Sequence, residues 1–348
     1  MSSSRRITLK ELAHHLGVST ASVSNAFNRP DQLSHDLRER ILAEAHRLGY
    51  RGPDAKARSL RTGRSQIVAV LLADSLAYSL NDAVASELLS GIAEVLDAHG
   101  HTLLLSGRQT NDRIPGSAGI ADGFIVYGLM PSPSLLGDLP SQHPQVAVDF
   151  DISGQASVHV DNEPAAHAIA CHALRTPPRR AGIINLRLTE QACNGRIGPG
   201  QTLLSASQTI TRARLDGFYR AFDEHGIDTT AVPMWNVEEN THEVCTPVIE
   251  GILDLPDEER PDLLMCMSDR IALTVLTLAE RRGLRVPEDL RITGFDGIAE
   301  GQYRAPCLTT VRQDSVEKGR IAARMVLGLE PEASRLLGTE LLIGESCP

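Results

Sequence analysis

ITLKELAHHLGVSTASVSNAFN, residues 7–28, reads as two short helices separated by a tight turn. Thr8 and Glu11 form a capping box, the hydroxyl taking an orphan amide and the carboxylate reaching back to the cap. The first helix turns Leu12, Ala13 and Leu16 inward and stops at Gly17. Ser19 caps a second helix in which Val23 and Phe27 share one face, while Thr20, Ala21, Ser24 and Asn25 form an outer face of small polar groups. After the turn-rich Asn28-Arg29-Pro30-Asp31, Ser34 caps a third helix with Leu37, Ile41, Ala45 and Leu48 at helical spacing, ended by Gly49. Helix, turn, helix and a supporting helix can lay the second helix in a DNA major groove while the others hold it. The charge agrees. Residues 1–64 hold 12 basic and 6 acidic side chains, a net of +6, and the remaining 22 basic and 38 acidic ones give the rest of the chain −16. A basic head on an acidic body suits a protein of which only one part approaches polyphosphate.

The 348 residues support two or three compact units. With 42% hydrophobic, 22% charged and 3% aromatic residues, the chain is neither disordered, collagen-like nor membrane-spanning. It has no apolar run of about 18 residues, and Met1 to Lys10 lacks the apolar stretch of a signal peptide. A cytoplasmic protein with no membrane partner is the expectation. Six scattered cysteines without a C-x-x-C pair indicate neither a disulfide framework nor a zinc knuckle.

Beyond residue 65 the pattern changes to short apolar strands alternating with amphipathic helices. Strands are expected at 66–73, 102–106, 121–127, 145–150, 180–185, 263–267 and 289–293; helices between them include 83–99, 165–174, 214–225, 271–282 and 316–327. This is a doubly wound α/β body with parallel sheets, in which ligands bind beyond the carboxyl ends of strands. Asp74 follows the first of these strands and Asp296 the last, so both carboxylates can converge on such a crevice as acceptors for hydroxyls or amines.

The ordered motifs resemble the LacI/GalR family of bacterial transcription regulators. They are Ile7 to Ala13, Gly17 to Ser24 and Leu48-Gly49-Tyr50 in the head, and Ala57 to Ser65 after it. In the body they are Gly294-Phe295-Asp296, Leu308 to Gln313 and Glu340 to Ser346. The resemblance covers nearly the whole chain. It implies a helix-turn-helix headpiece over 1–52, a hinge helix or linker over 53–65, and a two-lobed, periplasmic-binding-protein-like effector and dimerisation domain over 66–348. The first lobe would take about 66–161 and 293–320, the second about 162–292 and 321–348, with crossings near Asp161-Asn162, Thr293 and Ile321.

By the same resemblance the base-reading residues are Thr20, Ala21 and Asn25, and the minor-groove residues of the hinge are Leu60, Lys56 and Arg58. Asparagine matches the N6/N7 edge of adenine, so Asn25, where many relatives carry arginine, predicts an A·T preference. Ser19, Ser24 and Asn28 are candidates for phosphate contacts, although each serine also serves as a cap. The hinge is too short and polar to fold alone. It would pair with its dimer partner on DNA and wedge Leu60 between base pairs; Lys56 stands where an aliphatic residue is usual. Arg214, opening Arg214-Leu215-Asp216-Gly217-Phe218, matches the effector-contacting arginine, and Asp74, Tyr78, Asp149, Trp235, Ser268 and Asp296 fall at or near effector-lining positions. The sole tryptophan serves equally well in a core. Gly297 replaces a second aspartate, which removes a polar contact.

These readings make the protein a homodimeric regulator of double-stranded operator DNA, a repressor controlled by a small-molecule effector, a sugar or related metabolite, with no cofactor and no enzymatic activity. No phosphate loop, dinucleotide turn, zincin pair or nucleophile elbow is present. A solute-binding protein would leave the head without a task, and an α/β sugar-modifying enzyme would deplete its ligand. Residues 187–211 read as a flexible or functional insertion near the cleft. No leucine heptad follows the last strand, so tetramers built by an added coiled coil are not expected.

Overall fold

A computed structural model describes residues 7–50, 52, 65–107, 120–128, 139, 142–150, 155–205 and 210–348. The chain divides into two compact units, Met1–Gln66 and Ile67–Pro348. The first contains α1 (Leu9–Leu16), α2 (Thr20–Asn28) and α3 (His35–Arg47). The capping box of Thr8 and Glu11 forms, Gly17 adopts a left-handed conformation that ends α1, and Ser19 accepts a hydrogen bond from the Ser22 amide. Ser34 occupies the cap position of α3, yet its side chain makes no capping hydrogen bond, contrary to the sequence reading. Leu12, Ala13, Val23, Ala26, Ile41, Ala45 and Tyr50 form one core, with Phe27 edge-on to Tyr50 at 5.7 Å between ring centres. Ala26 is the fully buried partner of Val23, and Phe27 is half-buried beside Tyr50.

The second unit contains, in order, β1 (Ile67–Leu72), α4 (Leu76–Asn81), α5 (Ala83–Ala98), β2 (Thr102–Ser106), β3 (Gly123–Tyr127), β4 (Gln145–Val148), β5 (Ala156–Val160), α6 (Asn162–Leu174), β6 (Ala181–Leu186), β7 (Gly195–Arg196) and α7 (Ile210–Glu224). It continues with β8 (Met234–Val237), α8 (His242–Leu253), β9 (Leu263–Cys266), α9 (Asp269–Arg281), β10 (Arg291–Thr293), α10 (Ala299–Gln302), β11 (Thr310–Gln313), α11 (Ser315–Val326), β12 (Arg335–Leu337) and β13 (Thr339–Leu342). Two sheets define two lobes. The first has the order β12-β5-β4-β3-β1-β2 and is parallel throughout. The second, β10-β9-β6-β8-β7, is parallel except for its short edge strand β7. Val68, Val70, Leu72 and Val148 belong to the first lobe's core and Ile183, Ile184, Leu264 and Met265 to the cores of the second, which is why these strands read as continuous apolar runs.

The lobe boundaries differ from the expected ones. The chain crosses at Asp161 as expected, but Gly294 to Gln313 stays with the second lobe. Bridges between Thr293 and Thr309 and between Asp296 and Arg312 extend its sheet, and Leu308 and Val311 lie in its cores. Helix α11 then packs with α5, and β12 joins β5, so the segment around Ile321 belongs wholly to the first lobe. The return crossing lies between β12 and β13, at Gly338, not near Ile321. Apolar periodicity marks where a helix is, but not which of two similar sheets it covers. No helix among the described residues is long and apolar enough to cross a membrane.

Candidate functional site

In the head, Thr20 and Ala21 are exposed at the start of α2, and Asn25 sits one turn after Ala21 on the same side. Asn25 donates through Nδ2 to Oε1 of Gln32 at 3.4 Å, a neighbour the sequence reading did not consider. The Ser19 oxygen is engaged first as a cap, at 3.0 Å from the Ser22 amide and 2.9 Å from the Ser22 hydroxyl. Ser24 is half-buried, and Asn28 is the last residue of the helix. Lys56, Arg58 and Leu60 lie outside the described residues.

In the body, the ends of the strands bring six charged or amide side chains from both lobes into one buried network. Arg214, on α7, donates through Nε to Asn162 Oδ1 at 2.9 Å and through Nη1 to the Met267 carbonyl at 2.6 Å. Its guanidinium stacks on Phe295 at 3.6 Å and lies 3.4 Å from Asp296. Asp296 accepts from Gln313 Nε2 at 2.7 Å, and Gln313 Oε1 accepts from Lys318 Nζ at 2.8 Å. Lys318 also reaches both carboxylate oxygens of Asp149, at 2.9 and 2.7 Å. Thus Arg214 and Asp296 of the second lobe are wired through Gln313, at the crossing, to Lys318 and Asp149 of the first. The Nη2 of Arg214 is buried and has no hydrogen-bond partner among the described residues, which is costly for a charged donor.

A second bridge spans the lobes beside Asp74. Arg187 pairs with Asp74 at 2.7 Å and lies over the Tyr78 ring at 5.3 Å. The Tyr78 hydroxyl accepts from the Asn240 amide at 3.1 Å, and Asn240 meets both Asp82, at 3.3 Å, and the Ser268 hydroxyl, at 2.8 Å. Burial raises the Tyr78 phenol well above its ordinary range. Of the sequence-chosen residues, Arg214, Asp296 and Asp149 are therefore joined in one network, and Asp74, Tyr78 and Ser268 in the other. Trp235 belongs to neither: it is 5% exposed and packs in the core with Ile184, Val237 and Leu264, a correction to its placement as a lining residue. As a bulky apolar ring on a central strand it fills the layer beneath helices.

Sequence reasoning missed Lys318, Gln313, Arg187, Asn240 and Asp269. Residues 187–205 are more than an open insertion: they supply β7 and send Arg187 to Asp74. Gln313 and Lys318 carried no signal in the sequence, since their burial, tolerated only because they are paired, appears first in the structure.

The backbone is strained where these groups meet. Asp149, Arg187 and Asp296 take φ of 66°, 48° and 123°, three of the four non-glycine residues with positive φ among those described. Gly297 has φ of 74°, and a Cβ there would lie 2.4 Å from Arg312 Cα, so the missing second aspartate has a steric reason. Asp269 braces the same turn. It accepts from the Ile298 amide at 2.8 Å and from the Thr310 hydroxyl, and a Cβ on Gly294 would lie 2.1 Å from its Oδ1.

Burial pushes both Asp296 and Asp269 up, against the pull of Arg214 in each case. For Asp296 the rise is from 3.8 to about 7. The folded protein therefore keeps a proton that the unfolded chain gives up within the ordinary carboxylate range, and this contribution to stability is lost as pH rises towards about 7. Urea unfolding of Asp296→Asn beside the parent should show a shallower decline between about pH 4 and about pH 7; parallel declines would refute the assignment.

A helix-turn-helix unit followed by two α/β lobes, with a charged network at their strand ends, defines a DNA-binding regulator with a periplasmic-binding-protein-like body. Residues 183–347 match the periplasmic binding protein-like domain family. The chain is 36% identical over 355 aligned residues to the HTH-type transcriptional regulator Rv3575c of Mycobacterium tuberculosis, covering 98% of this chain and 97% of that one. It is 28% identical to the HTH-type transcriptional repressor CytR of Escherichia coli K12, over 97% of this chain and 95% of the repressor. Its fold matches the lac repressor dimer solved with operator and the anti-inducer ONPF, with a TM-score of 0.74, 19% identity and 99% of both chains covered. The chain belongs to the LacI/GalR family and is a DNA-binding transcription regulator.

Proposed function

We propose that the protein is a repressor that grips a pseudo-palindromic operator as a homodimer and changes that grip when a small hydroxyl-rich metabolite binds between its lobes. The carrying observation is the buried Arg214 guanidinium, with one Nη2 donor unpartnered among the described residues beside Asp296. A cation with a spare donor next to a carboxylate acceptor suits neighbouring hydroxyls of a sugar or nucleoside. CytR is named a repressor and the lac repressor was solved as a dimer on operator, which supports the remainder. In this reading Thr20, Ala21 and Asn25 read bases, and Ser19, Ser24 and Asn28 hold phosphates. Leu60 wedges the minor groove beside Lys56 and Arg58. Two heads of net charge +6 each supply salt-dependent affinity.

The lobes share buried contacts on two networks, so a ligand that prefers one lobe arrangement shifts the equilibrium between arrangements. A difference of about 1–3 kcal/mol is sufficient. Two experiments test the reading. A thermal-shift panel of carbohydrates, nucleosides and amino acids should return a ligand that raises Tm, and that ligand should alter operator retention. Operator selection with Asn25→Arg should move one half-site position from A·T to G·C, a discrimination of about 1–3 kcal/mol; an unchanged base there refutes the contact.

A further inference from the structure

On the outer side of the second lobe, α6 and α7 place three metal-ligating side chains together. His167 and Cys171 are four residues apart on α6 and so lie one above the other on one face. Glu224 is the last residue of α7. The helices approach closely because Gly217 lies against α6, where a Cβ would come 2.3 Å from the Glu163 carbonyl. His167 Nε2 lies 2.8 Å from Glu224 Oε2 and 3.3 Å from Cys171 Sγ, and Sγ lies 3.7 Å from the same carboxylate oxygen.

We propose that His167, Cys171 and Glu224 bind a divalent transition-metal ion of the zinc class, leaving a fourth position to water. Zinc bonds of about 2.0–2.1 Å to nitrogen, about 2.0–2.2 Å to oxygen and about 2.3 Å to sulfur, arranged tetrahedrally, set donor atoms about 3.4–3.6 Å apart. Two of the three observed separations are already within a few tenths of an ångström of that range. Only the His167–Glu224 contact must open, and it does so by exchanging a hydrogen bond for two metal bonds. The donor set of imidazole, thiolate and carboxylate favours zinc over magnesium or calcium, which prefer oxygen alone. Arg220, 4.0 Å from Glu224, keeps its closer partner Glu163 at 2.7 Å, so Glu224 is free to turn to the ion. Coordination displaces the thiol proton to solvent and shifts the His167 ring proton from Nε2 to Nδ1, and no electron is transferred.

The ion would tie α6 to α7, the same helices whose Asn162 and Arg214 meet at the cleft, through His167 and Cys171 further along α6 and Glu224 at the last residue of α7. Untagged, metal-free, full-length protein titrated with Co²⁺ under reductant should take up one equivalent per chain. A thiolate-to-cobalt charge-transfer band in the near ultraviolet should appear and be displaced by Zn²⁺. Cys171→Ser should abolish the band, Glu224→Gln should weaken binding at least about tenfold, and Cys193→Ser, altering another part-exposed thiol, should leave it unchanged. These ligands are at the surface, so the variants should fold, which circular dichroism checks. Absence of the band at stoichiometric Co²⁺, or its survival in Cys171→Ser, overturns the proposal.

Discussion

Replacing Lys318 by methionine is expected to destabilise the body by about 3–5 kcal/mol, because it leaves the buried Asp149 carboxylate without its cation. Lys318 is 0% exposed and Asp149 9%, and the ammonium spends all three donors, on the two oxygens of Asp149 and on Gln313. Methionine keeps the length of the stem and nearly its volume, so packing loss is small and the cost is electrostatic. The pair itself need not be favourable: removing both charges, in Asp149→Asn with Lys318→Met, should recover most of the loss. Urea unfolding of the two single variants and the double variant measures this. Single losses that add in the double variant would show that the groups act independently and refute the account.

Arg214→Met should lower effector affinity by at least about a hundredfold, the equivalent of losing one or two hydrogen bonds to a charged donor. Arg214 is held from three sides, by Asn162, the Met267 carbonyl and the face of Phe295, so its unpartnered Nη2 is fixed in direction before any ligand arrives. Such preorganisation converts donor strength into affinity rather than into ordering cost. The same substitution would leave Asp296 buried beside no cation, and the carboxyl would then remain protonated to higher pH. Calorimetry with the ligand returned by the thermal-shift panel gives the affinity, and operator binding without ligand should persist, since the head has its own core. Unchanged ligand affinity would remove Arg214 from the site, whereas loss of operator binding alone would refute the separation of the two tasks.

The head was legible because its determinants are local. A capping box, a left-handed glycine and apolar residues at helical spacing act within one or two turns, and each one formed where its residues stand. The exception, Ser34, marks the end of a helix by position without its side-chain bond, as a cap's partner depends on rotamer as well as residue type. Asp296 and Arg214 were legible as single residues through their motifs. Their connection was not: Gln313 and Lys318 are 17 and 22 positions from Asp296, and nothing in a one-dimensional pattern says that a polar helix residue turns inward.

Local chemistry thus settled the class of each segment: three helices in the head, and alternating strands and helices in the body. Three-dimensional packing settled the rest. It assigned α11 to the first lobe, put Trp235 in the core, and joined Arg187 to Asp74 across 113 positions. The physical reason is that periodicity and capping depend on neighbours a few bonds away, whereas burial of a charge is tolerated only when a distant segment supplies the opposite charge at hydrogen-bond distance.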